Sequence, residues 1–142
     1  MLVSQILRSK GDTVFTIVPS DTIAAVAGLL HSRKVGALVV LKDERVVGIV
    51  SERDVVRAIA SGGAAALDKP VSGVMTKDVF FAQPGETVDS LLTRMTDRRI
   101  RHLPVCQKDR LVGIVSIGDL VKSKISEVEA EADGLKAYIA AS

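Results

Sequence analysis

The chain contains one stretch of sequence twice, and that repetition constrains its fold more than any other feature. A shift of 65 places sets Val14-Phe15 on Val79-Phe80, Pro19 on Pro84, Thr22 on Thr87 and Arg33 on Arg98. The same shift, without a gap, sets Leu38, Val40 and Arg45 on Leu103, Val105 and Arg110. It then repeats Val47-Gly48-Ile49-Val50-Ser51 letter for letter as Val112-Gly113-Ile114-Val115-Ser116. With Asp54 on Asp119 and Val56 on Val121 this makes 15 identities over the 44 positions from Val14 to Arg57, the mark of two copies of one structural unit. A shorter echo precedes each copy, Val3-Ser-Gln-Ile-Leu and Val71-Ser-Gly-Val-Met, at a spacing of 68. The small-residue stretch Ser61-Gly-Gly-Ala-Ala-Ala, closed by Pro70, links the copies. The sequence therefore divides into a first repeat with its lead-in (1–66), a second repeat (67–126) and a tail (127–142).

Each copy reads as β-α-β-β-α. Val14 to Val18 is a short apolar strand stopped by Pro19, and Ser20-Asp21-Thr22 supplies capping residues for a helix with Ile23, Val26, Ala27 and Leu30 on one face. Ala37 to Leu41 and Val46 to Val50 are β-branched strands joined by the polar turn Lys42-Asp43-Glu44-Arg45. Ser51 is a good N-cap for the second helix, with Asp54 at its third position. In the second copy the strands fall near Val79 to Ala82, Leu103 to Cys106 and Leu111 to Val115. Three short strands and two helices cannot cover both faces of a sheet, so the two copies are expected to share one globule. In the tail, Val128, Ala132, Leu135 and Ile139 recur at helical spacing, which predicts a terminal helix packed on its own module or on a partner subunit.

Charge and cysteine content narrow the function. The 19 Lys and Arg against 17 Asp and Glu leave a net charge of +2, too balanced for nucleic acid held by bulk charge. The balance is uneven along the chain, because Arg98, Arg99 and Arg101 cluster in the second copy. The apolar runs are far shorter than the roughly 20 residues of a membrane span, so no membrane partner is expected. The first residues lack a basic start followed by a long apolar stretch, and the expected location is cytoplasmic. A lone Cys106 excludes an internal disulfide and a multi-cysteine zinc site, and no nucleophile-base pair or metal set can be assembled, which predicts no catalysis. His31 has no second ligand at metal spacing; Cys106, Met75 and Met95 read as packing residues.

The doubled Gly-x-x-Ser-x-x-Asp, with Val-Met-Thr before the second copy and Arg-His-Leu-Pro-Val on its middle strand, resembles the CBS domain family. The likeness spans about Ser4 to Ile125 and is that of a stand-alone tandem CBS pair, or Bateman module. It implies an α+β fold of two β-α-β-β-α repeats packed through their sheets with pseudo-twofold symmetry, plus a C-terminal helix. It further implies a regulatory module that binds AMP, ADP, ATP, NAD(H) or S-adenosylmethionine in clefts between the repeats, with no catalytic cofactor. A homodimer and an effector protein downstream are implied as partners.

Carried onto this sequence, the resemblance gives Ser51 and Asp54 to one site and Ser116 and Asp119 to the other. The serine would touch phosphate or ribose and the aspartate would accept from ribose hydroxyls, chemistry that suits a carboxylate beside a helix N-terminus. Thr16, Ile17 and Val18, and in the second copy Phe81, Ala82 and Gln83, would edge the adenine. Val35, Gly36 and Ala37, and Ile100, Arg101 and His102 with Pro104, would face the sugar and phosphates. Arg53 would add a further phosphate contact in the first copy, where the second has Gly118, so two unequal sites are expected. The bland reading of both aspartates is a helix cap favoured by the dipole; of Arg98, a solvated helix end. A ligand-independent dimerisation scaffold is the alternative function.

Overall fold

The computed structural model describes residues 1–141. Its elements run α1 (Val3–Lys10), β1 (Thr16–Ile17), α2 (Ile23–Arg33), β2 (Ala37–Lys42), β3 (Arg45–Ser51), α3 (Glu52–Gly62), two short 3-10 turns, α4 (Val88–Arg98), β4 (His102–Gln107), β5 (Arg110–Ser116) and α5 (Ile117–Ala141). The β-α-β-β-α order is thus present in the first copy, and the class is α+β. Both β-β turns are two-residue turns whose central residues all have positive φ: Asp43 at 52° and Glu44 at 64°, Lys108 at 52° and Asp109 at 61°. That twist matches the twist of the flanking strands, which is why a polar four-residue stretch closes each hairpin. Thr22 and Thr87 cap α2 and α4 by accepting from Ala25 N and Ser90 N, each at 3.1 Å.

The first strand is shorter than the apolar run suggests. β1 pairs in parallel with β2 only through Thr16 with Val39 and Ile17 with Val40. In the second copy the equivalent strand is a single bridge between Ala82 and Val105, leaving the sheet with β4 and β5 alone. Pro104 stands where the first copy has Val39, and a proline has no N–H to give the ladder.

The chain forms two compact units whose membership does not follow sequence order. One contains Thr13–Phe80 with Asp109–Leu111; the other contains Met1–Asp12, Phe81–Lys108 and, among the described residues, 112–141. The lead-in to the first copy therefore packs with the second. Val3, Ile6 and Leu7 of α1 join Leu91, Met95, Leu103, Val115 and Leu120 in one core, whereas Val71, Val74 and Met75 join Val26, Leu38, Val50 and Val55 in the other. The glycine of each Val-Gly-Ile-Val-Ser block is the contact point. A Cβ on Gly113 would lie 2.6 Å from Leu7 Cδ2, and one on Gly48 would lie 2.6 Å from Met75 Sδ and 3.1 Å from the Thr76 carbonyl oxygen. Leu7 and Met75 are the same position of the two lead-in echoes.

The tail is no separate element. The helix that begins at Ile117 runs on unbroken to Ala141, and from Val128 onward every described residue is exposed, so the expected packing of a terminal helix on its own module is absent from the described residues. Ser142, the last residue of the tail, lies outside the described residues. No helix among them is long and apolar enough to cross a membrane.

Candidate functional site

In the first copy, antiparallel pairing sets Ala37, at the start of β2, opposite Ser51, at the end of β3. Glu52 N donates to Gly36 O at 3.0 Å, so the β2 start and the α3 N-terminus form one edge. There Ser51 N and Ser51 Oγ donate to Asp54 Oδ2 at 2.9 and 3.1 Å, and Asp54 N donates back to Ser51 Oγ at 3.3 Å. This is a capping box, with aspartate in the place of the usual glutamate. Of the four N–H groups that a helix start leaves without an intrahelical partner, those of Ser51, Glu52 and Asp54 are committed; that of Arg53 is left among the described residues. Val35 and Gly36 are half-buried and Arg53 is exposed at this edge. Thr16 is level with Val39 and Ile17 with Val40, in the middle of β2 and two to three residues along from Ala37. Val18 N donates to Asp21 Oδ2 at 3.0 Å.

The second copy repeats the edge with other neighbours. Ile117 N donates to Arg101 O at 2.8 Å, Ser116 N to Asp119 Oδ2 at 2.9 Å, and Asp119 N to Ser116 Oγ at 3.1 Å, which leaves the N–H of Gly118. Arg101 is exposed, Ile100 and His102 are half-buried and Pro104 is buried. Lys10, at the end of α1, is the residue that the sequence did not point to. Its Nζ donates to Asp119 Oδ2 at 2.7 Å and to Ile114 O at 3.0 Å. Burial pushes the Asp119 carboxyl up, but hydrogen bonds from Lys10 and Ser116 with the lysine charge outweigh it and hold the group below the usual carboxylate range. At Asp54 the nearest cation is the exposed Arg57, 3.9 Å from Oδ1.

The expected adenine edge of the second copy is well bonded within the protein. Ala82 is buried, with its N–H given to Pro104 O and its carbonyl taken by Cys106 N, both at 2.9 Å. Phe81 O accepts from Arg94 Nη1 and Gln83 N donates to Glu86 Oε2, both at 2.8 Å. Arg94 also forms an ion pair with Glu86. The hydrogen bond from Arg94 lowers the Glu86 carboxyl, against the effect of burial. Leu29 stands at the equivalent place in the first copy, and neither Lys10 nor Arg94 carried a local signal that marked it as a site residue.

The model of the CBS domain family matches residues 3–61 and 71–126. The chain belongs to the CBS domain family, as a tandem pair. The CBS-domain containing protein ATU1752 from Agrobacterium tumefaciens is 46% identical, with a TM-score of 0.85 over 87% of this chain and 99% of that one. The CBS domain protein PAE2072 from Pyrobaculum aerophilum, solved in complex with AMP, is 29% identical, with a TM-score of 0.74 over 84% of this CBS pair and 89% of its own chain. The CBS domain pair of protein MJ0100, solved with 5′-methylthioadenosine and S-adenosyl-L-methionine, is 26% identical, with a TM-score of 0.78 over 89% and 98% respectively.

Proposed function

We propose that this CBS pair is a regulatory module that binds an adenine nucleotide at the Ser-x-x-Asp edge of each repeat and answers by a change of conformation or partner affinity. One observation carries the reading: both copies build the same capping box at a helix start and leave one N–H, of Arg53 or Gly118, beside a carboxylate. AMP, methylthioadenosine and S-adenosylmethionine, the ligands of the two related structures, share an adenosine and differ at its 5′ end. A carboxylate with about four acceptor sites takes ribose hydroxyls in addition to its capping bonds, and an N-terminal N–H suits a phosphate oxygen. AMP, ADP, ATP and NAD are the ligands this reading covers. A ligand acts here only through different affinity for two states of the protein, and those states include self-association as a homodimer and the docking of an effector protein in the cytoplasm.

Thermal melts with AMP, ADP, ATP, NAD and S-adenosylmethionine test it. At millimolar ligand at least one of them raises the melting temperature, because binding to the folded state alone adds RT ln(1 + [L]/Kd) of stability. No shift with any of the five rejects nucleotide binding and favours a ligand-independent scaffold, a reading to which the Lys10 occupancy of Asp119 lends support.

A further inference from the structure

The exposed half of α5 carries more than a tail. Val121, Ile125, Val128, Ala132 and Leu135 recur at alternating steps of four and three residues, and Ile139 continues the series. This is a 3.5-residue period, the seam of a left-handed coiled coil rather than the wider face of a helix packed on a globular core. The seam faces outward: Val128 is 50% and Leu135 is 60% exposed. Its flanks are charged with alternating sign. Lys122, Glu129 and Lys136 follow one side; Lys124 and Glu131, then Tyr138, follow the other.

We infer that α5 pairs with α5 of a second copy of this chain as a parallel, in-register coiled coil, which deepens the homodimer part of the function proposed above. Flank complementarity selects this occupant. In a parallel pair each residue on one flank meets the residue five places further on the partner's other flank, which sets Lys124 against Glu129 and Glu131 against Lys136. Both contacts join opposite charges, and symmetry makes each of them twice. Lys124 already lies 3.0 Å from Asp89 within its own chain, so the Glu131–Lys136 contact is the cleaner reporter.

Three measurements on the full chain test the seam. Sedimentation equilibrium finds a dimer for the unchanged chain, and Val128→Glu with Leu135→Lys weakens it by about a hundredfold or more. Glu131→Lys or Lys136→Glu alone weakens it by about two- to fivefold, and the two together restore it. In a Cys106→Ser background, Leu135→Cys forms a disulfide between copies under mild oxidation, as only a parallel register close to this one allows. A monomer at micromolar concentration, a dimer indifferent to the Val128 and Leu135 changes, or a dimer with no cross-link at position 135 overturns the inference. Circular dichroism confirms that the variants remain folded. Nucleotide melts on the same variants keep the ligand reading separate, because loss of the dimer with a retained thermal shift leaves that reading intact.

Discussion

Asp54 and Asp119 sit at the same step of the same repeated block, and each closes a capping box with the serine three residues before it. They differ in what comes from outside the repeat. Asp119 receives a lysine from a helix 109 positions away in sequence, while Asp54, among the described residues, has an exposed arginine one turn further along its own helix. Sequence duplication thus reproduces the hydrogen-bonded frame of a site without its electrostatics. The frame is local, set by cap residues and strand register; the charge is supplied by whichever segment packs alongside.

The comparison can be broken first at the lead-in contacts. Gly48→Ala and Gly113→Ala each insert a Cβ where 2.6 Å is available, and we expect a loss of about 1–3 kcal/mol in chemical denaturation, as for an overpacked core. The loss is larger at Gly48, because the Thr76 carbonyl behind Met75 belongs to backbone and cannot turn away as the Leu7 side chain can. Equal losses would show that the two lead-ins yield alike.

A smaller effect belongs to the aspartates. Asp54→Ala removes a cap and costs about 1 kcal/mol, whereas Asp119→Ala also strips Lys10 of its partner and costs about 2 kcal/mol, read from urea midpoints at neutral pH. Reversal of that order would remove Lys10 from the account. The smallest effect is in acid. Because the folded Asp119 carboxyl is held below its ordinary range, its stabilising contribution is present above the unfolded value and lost as pH falls through the folded one. Asp119→Asn therefore flattens the fall in stability below about pH 4, and Lys10→Met does so in part. An acid limb unchanged in both variants would contradict the assignment.

Most of the frame was legible because its causes are close in sequence. Thr22 and Thr87 cap the expected helices, and Asp43-Glu44 and Lys108-Asp109 turn the expected hairpins. The shortening of the strand near Val79 was also written in the sequence, in the proline that its partner strand carries at position 104. The exchange of lead-ins was not legible. The echo at a spacing of 68 shows that Leu7 and Met75 are equivalent, but nothing local says which copy each one covers. Lys10 was hidden for the same reason, since its meaning lies at Ile114 and Asp119. The end of the repeat suggests a boundary at 126, but no glycine or proline stands near that position and the helix runs through it from Ile117 to Ala141.

The exchanged lead-in also sets an order of events during synthesis. A ribosome delivers residues 13–80 before the strands and helices of the second copy exist, so nearly all of the first copy's unit, with its own lead-in partner Val71 to Met75, is available to fold early. Helix α1 emerges sooner still, yet the groove for Val3, Ile6 and Leu7 is complete only once Val115 and Leu120 have followed. During that interval the three apolar side chains of α1 lack the core that buries them, and exposed apolar surface of this kind favours aggregation.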